Sequence, residues 1–216
     1  MTILNLKQAY CKLDKDQRFY QLERPLIGIT GGIATGKSSC AKYLISLGYP
    51  LIDADGLVKK IYSTQETFEF IQNLNPDFTQ DNAIDFKKLR KAVFSNSELK
   101  TKIETYIYQR LPQAFQQEHE KLETKGALFY DIPLLFEKKL SSQFDLSVCV
   151  YTSPKQQLAR LVKRDGISED EAQNILNSQI AIDEKAKLAD ILIHNESNNI
   201  NDLHHEIDKF LELISE

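Results

Sequence analysis

The chain has 216 residues, 31 acidic side chains against 27 basic ones, a formal net charge of -4 and 42% hydrophobic residues. That length can bury one sizeable core with room for a small inserted subdomain, and the acidic balance argues against a duplex-DNA binder, which carries a basic excess. No stretch approaches the ~18 apolar residues of a membrane span, and Lys7, Lys12, Asp14, Lys15, Asp16 and Arg18 interrupt residues 1–24, leaving no apolar signal core.

The expectation is a cytoplasmic protein with neither nucleic acid nor membrane as a partner. Cys11, Cys40 and Cys149 are scattered, with no C-x-x-C pair, so they suggest neither zinc nor a disulfide framework.

In chain order, the apolar run Pro25–Thr30 ending at a glycine pair predicts a buried parallel strand. Cys40, Ala41, Leu44 and Leu47 recur at helical spacing from Lys37 to Leu47, with Gly48 as the stop. Pro50–Asp55 reads as a second strand followed by a helix to about Tyr62. Residues 63–125 change to polar, helix-prone text broken at Asn75-Pro76-Asp77, with helical patterns over Phe86–Phe94 and from Ser97 to about Lys125. Ala127–Asp131 returns to strand, and Asp145–Tyr151 is another. Ser153-Pro154 starts a helix with Ser as cap and Pro in the first turn. Ser168-Glu169-Asp170-Glu171 has capping-box spacing. Ile191–Ile193 is a last strand and Ile200–Ile214 a closing amphipathic helix. Strands alternating with helices imply an α/β fold whose five-stranded parallel sheet is flanked by helices, with ligands at the carboxyl ends of the strands.

Gly31-x-x-x-x-Gly36-Lys37-Ser38 matches the P-loop pattern and lies in the required place, after a strand and before a helix. The backbone N–H groups over Gly32, Ile33, Ala34, Thr35, Gly36, Lys37, Ser38 and Ser39 would cradle the phosphates of ATP at the helix N-terminus. Lys37 would reach the β- and γ-phosphates and the Ser38 hydroxyl would meet Mg²⁺.

The loop alone leaves a switch, a mechanical ATPase and a kinase open. No guanine-reading Asn-Lys-x-Asp follows a later strand, and a small kinase needs only a base near the acceptor and cations over the transferring group. Asp53 and Asp55, two apart, would share a strand face, with Asp55 nearer the phosphates as a base and Asp53 as base or helix cap. Arg160, Lys163 and Arg164 fall at i, i+3, i+4 on one helix face, either a solvated basic face or a lid that lays arginines on phosphates. Asp131 reads as a Walker-B-type acid assisting Mg²⁺ or as a strand end. Another nucleotide or sugar kinase, and a non-catalytic ATP-responsive module, also stay open.

The ordered pieces IGITGGIATGKSS, IDAD, DIPLLFE, RLVKRDGIS and QIAIDEKAKLADILIHN, over about residues 26–210, resemble the dephospho-CoA kinase family. The resemblance implies the P-loop NTPase fold and transfer from ATP, with Mg²⁺, to the 3′-hydroxyl of dephospho-CoA, the last step of coenzyme A biosynthesis. It implies a domain over 25–216 behind an N-terminal extension 1–24, an acceptor-holding helical insertion at about 56–125 and a lid at about 155–187. Asp55 would be the base and Lys37 and Arg164 the phosphate-contacting cations; the lid reading of the basic helix face adds Arg160 as a nucleotide-binding residue. Pro133, Leu134, Leu135 and Glu137 match the motif near the acceptor, and Gln179, Glu184, Lys185 and Asp190 match a lid-side signature. A His-Pro pair frequent in the family's insertion is replaced by Tyr108-Gln109, and a glycine two places after Asn195 is replaced by Ser197.

Overall fold

Every residue of Leu26–Gly31 is buried, as expected for the middle strand of a parallel sheet covered on both faces. The computed structural model describes residues 2–123 and 125–216. In chain order the elements are β1 (Leu26–Gly31), α1 (Lys37–Ser46), β2 (Leu51–Asp53), α2 (Ala54–Tyr62), α3 (Gln65–Leu74), β3 (Thr79–Gln80), β4 (Ala83–Ile84), α4 (Phe86–Ser95), α5 (Ser97–His119), β5 (Leu128–Asp131), β6 (Leu146–Tyr151), α6 (Pro154–Asp165), α7 (Glu169–Leu176), α8 (Ile182–Leu188), β7 (Ile191–His194) and α9 (Ile200–Ile214). They form two compact units, Ala54–Leu122 and the remainder.

The larger unit is built on a five-stranded sheet in the order β2-β5-β1-β6-β7, parallel throughout. Register places Ile29 beside Asp131 and Asp131 beside Asp53, so β5 and β2 end level with one another while β1 runs two residues further, to Gly31. Leu203, Ile207, Phe210 and Ile214 form one stripe of α9 and pack with Leu44 of α1 on Ile27, Ile29 and Val148.

Residues 2–24 pack against this unit, Leu4 and Leu6 joining its core. Leu4, Leu6 and Leu22 are buried, Leu6 bridges Ser215, and the Lys7 N–H donates to the Ile214 carbonyl at 2.8 Å. Arg18 grips fully buried Asp145 with two donors, Nε to Oδ2 at 2.7 Å and Nη2 to Oδ1 at 3.1 Å. Asp145 also accepts from the Leu13 N–H at 3.1 Å and the Leu26 N–H at 2.9 Å, so one carboxylate pins this segment to the start of β1.

The smaller unit is helical with a short β3–β4 hairpin. Its core gathers Ile61, Ile71, Phe78, Leu89, Ile103 and Ile107. Phe70 stacks on Tyr106 with ring centroids 3.8 Å apart, and the Arg110 guanidinium lies over the Tyr106 ring at 3.4 Å from its centre. The hairpin and the α3 helix were not separated by the sequence pattern, and α5 stops at His119 rather than near Lys125. Residues 79–84 are polar and very short as strands, which leaves no alternation to read.

One expectation about the acids is corrected. The second strand stops at Asp53, and Asp55 stands in the first turn of α2, so the two do not share a strand face. Ala-Asp-Gly is poor strand text, and an acid in a first helical turn is favoured by the helix dipole.

Candidate active site

A phosphate nest needs the loop carbonyls turned away so that the N–H groups face inward. Side chains from across the sheet unit hold them that way. Lys185 Nζ donates to the Gly31 carbonyl at 3.3 Å, Thr35 Oγ1 to that of Gly32 at 2.9 Å, Gln157 Nε2 to that of Ile33 at 2.7 Å and Asn195 Nδ2 to that of Thr35 at 2.8 Å. Gly36 caps α1 with φ +97° and has no side chain to occupy the first helical N–H groups. A Cβ there would come 2.2 Å from Asn195 Nδ2, so both the left-handed backbone and the Asn195 contact demand glycine. Ala34 also adopts a left-handed conformation, φ +63°, strain that the pinned neighbours sustain.

Lys37 opens α1 and its ammonium lies 2.5 Å from Asp131 Oδ1 at the end of β5. Both are largely buried, so the pair neutralises two charges where the loop, β1 and β5 meet. Ser38 is exposed one residue on. Among the described residues no group of three His, Cys, Asp or Glu side chains forms a metal cage. Mg²⁺ at a nucleotide site is held by one or two protein ligands together with phosphates, and Ser38 with Asp131 fits that sparse donor set.

Beside the loop is a cavity of about 220 Å³ lined by Ala34, Gly36, Ser39, Arg160, Asn195, Ser197 and neighbouring residues up to Leu203. Arg160 is partly buried, its Nη2 donating to the Ser197 carbonyl at 2.5 Å, and burial holds its pKa below the usual arginine value. Arg164, one turn on, is exposed and forks onto its neighbour Asp165 at 2.7 and 2.9 Å. That contact raises the arginine pKa and lowers that of Asp165. Arg160 and Arg164 share the predicted helix, but only Arg160 lines the cavity. Asp53 and Asp55 are exposed, and Asp55 belongs to the helical unit.

Gln157 is the contributor that sequence reasoning missed. Its signal was a polar residue on the buried stripe of α6, one turn before buried Leu161. The pinning contacts of Asn195 and Lys185 were likewise invisible, because they come from elements remote in sequence.

The dephospho-CoA kinase family model matches residues 25–201. The chain belongs to the dephospho-CoA kinase family. A dephospho-CoA kinase from Fusobacterium nucleatum is 35% identical over 191 residues, covering 88% of this chain and 98% of that protein. One from Carboxydothermus hydrogenoformans is 37% identical over 179 residues, 79% of this chain and 85% of that protein. Among solved structures, dephospho-CoA kinase from Campylobacter jejuni is 29% identical with a TM-score of 0.61, covering 89% of this chain and 98% of its own. A Bacteroides thetaiotaomicron shikimate kinase, 13% identical with a TM-score of 0.50 over 88% of this chain and 97% of its own, shares the fold.

Proposed function

We propose that this chain transfers the γ-phosphoryl group of ATP to the ribose 3′-hydroxyl of dephospho-CoA, giving CoA and ADP. The observation that carries the donor half is the loop whose four carbonyls are tied outward beside uncapped helical N–H groups. The acceptor half rests on membership of the family.

In this reading the backbone N–H groups from Gly32 to Ser39 bind the phosphates, and Lys37 exchanges Asp131 for β- and γ-phosphate oxygens. That exchange frees the Asp131 carboxylate; Asp131 and the Ser38 hydroxyl would hold Mg²⁺, which would supply charge neutralisation on the phosphates. Arg160 lines the nucleotide side, and Arg164 leaves Asp165 to stabilise the transferring group as the α6–α7 segment closes. Asp55 orients the 3′-hydroxyl and takes its proton. The helical unit holds dephospho-CoA. An ATP-consuming enzyme with free Cys11, Cys40 and Cys149 suits a reducing, cytoplasmic compartment.

The test is incubation with ATP, Mg²⁺ and dephospho-CoA, with chromatographic detection of CoA and ADP in equal amounts. Phosphorylation of another small alcohol in place of dephospho-CoA would refute the acceptor, and nucleotide binding without ADP release under any acceptor would refute the kinase.

A further inference from the structure

Lys185 is fully buried, an expensive position for an ammonium. All three of its donors are used: Glu137 Oε1 at 2.7 Å, the Pro133 carbonyl at 3.1 Å and the Gly31 carbonyl at 3.3 Å. These acceptors lie on two strand ends, Gly31 at the close of β1 and Pro133 and Glu137 just after β5. Thr30 Oγ1 donates to the same Pro133 carbonyl at 3.0 Å, a second tie between those ends. Glu137 Oε1 in turn accepts from the Ile180 N–H at 3.3 Å, which brings in the chain as it returns from α7 to α8.

Stability alone is a poor reason for this arrangement. A buried ion pair seldom outperforms apolar packing of the same volume, and Glu137 Oε2 is buried with no hydrogen bond at all. What the pair does control is geometry. The β1 end carries the phosphate loop and Lys37, the β5 end carries Asp131, and the Lys37–Asp131 contact spans the two.

We infer that Lys185 is a positioning residue for phosphoryl transfer: with Glu137 it clamps the ends of β1 and β5 and the return of the α6–α7 segment into one register, keeping the Gly31 carbonyl turned from the phosphates. It touches no substrate. The inference rests on the phosphate-site reading above and adds the group that sets that site's dimensions.

The experiment compares Lys185→Met, Glu137→Met and the double variant by thermal melting, steady-state kinetics and release of a fluorescent ADP analogue. Each single variant strands a buried charge and melts well below the wild type. The double variant removes both charges and regains most of the lost melting temperature. Its kcat nonetheless stays roughly 10²-fold low, the scale of an ångström misplacement, while the KM for dephospho-CoA moves by less than ~3-fold. The ADP analogue leaves it faster than it leaves the wild type. A double variant with wild-type kcat and analogue release would overturn the positioning role and leave a purely structural pair. Wild-type protein that binds the analogue yet makes no CoA would instead refute the acceptor reading, while the difference in analogue release would still test the clamp.

Discussion

In the sheet unit the buried interior is threaded with polar groups, among them Asp145, Gln157, Lys185 and Asn195, whereas the helical unit closes on Ile61, Ile71, Leu89, Ile103 and Ile107. Of the buried polar side chains in the described residues, Thr67 alone lies within 54–122. The contrast follows from the backbone each unit must hold. A helix satisfies its own N–H and C=O groups, so helices need only apolar stripes to pack. A phosphate loop leaves its N–H groups open for a ligand and must have its carbonyls satisfied from outside. Here the outside partners are side chains drawn from α6, α8 and the residue after β7.

The largest expected effects test whether each unit supplies chemistry. Asp55→Asn in the helical unit lowers turnover by ~10²–10⁴, the range of a positioned base, with ATP affinity retained. Asp53→Asn in the sheet unit lowers it far less; equal losses from the two would erase the division of labour. Arg164→Ala lowers turnover by ~10³ and leaves the melting temperature in place, since its partner in the structure is the exposed Asp165. A variant that changed only melting would remove Arg164 from the transfer step.

Stability sharpens the same contrast. Arg18→Met leaves Asp145 charged and buried, with only backbone donors remaining, and costs about 3–5 kcal/mol in urea unfolding. Ile107→Ala opens the helical core and costs about 2–5 kcal/mol. Hydrogen exchange separates them: the first loosens amides of β1 and β6, the second those of α2 and α5. Exchange spreading evenly through the chain in both variants would show that the polar pins and the apolar core are not local devices.

How much of this was legible follows the same line. The phosphate loop, its strand and its helix could be read because glycine at 31 and 36, Lys37 and Ser38 are demanded locally by backbone shape and charge. The capping box at Ser168–Glu171 was legible for the same reason, and the structure has both of its hydrogen bonds. The α9 stripe was legible from periodicity alone. Residues 2–24 were not, because leucines at 4, 6 and 22 carry no period and the partner of Arg18 is 127 positions away. The end of β2 was misplaced for a subtler reason: Leu51 and Ile52 announce a strand, while Asp53-Ala54-Asp55 suits either a strand tail or a helix start. A stretch of three residues cannot decide between periods of 2 and 3.6. In the helical unit the helices were readable and the ligand chemistry was not, since amphipathic stripes specify packing rather than a partner.

The smallest effect concerns Asp190, a second acid that holds the N-terminal segment. Burial would raise its pKa, but the Lys12 ammonium at 2.7 Å, the Ser147 hydroxyl at 2.6 Å and the Ser147 N–H at 2.8 Å together hold it below the ordinary aspartate value of 3.8. A carboxyl whose folded pKa is depressed contributes stability above its unfolded pKa and loses that contribution as pH falls through the folded value. Asp190→Asn therefore melts below the wild type across neutral pH, and the gap closes below about pH 4. Lys12 is half exposed, so salt screens its share, and the gap at pH 7 narrows in high salt without vanishing because the Ser147 bonds persist. A gap that ignored salt would assign the whole effect to Ser147 and remove Lys12 from the list of groups anchoring residues 2–24. A gap that widened toward pH 3 would mean that the protonated acid is the better partner at this site, reversing the sign of the pin.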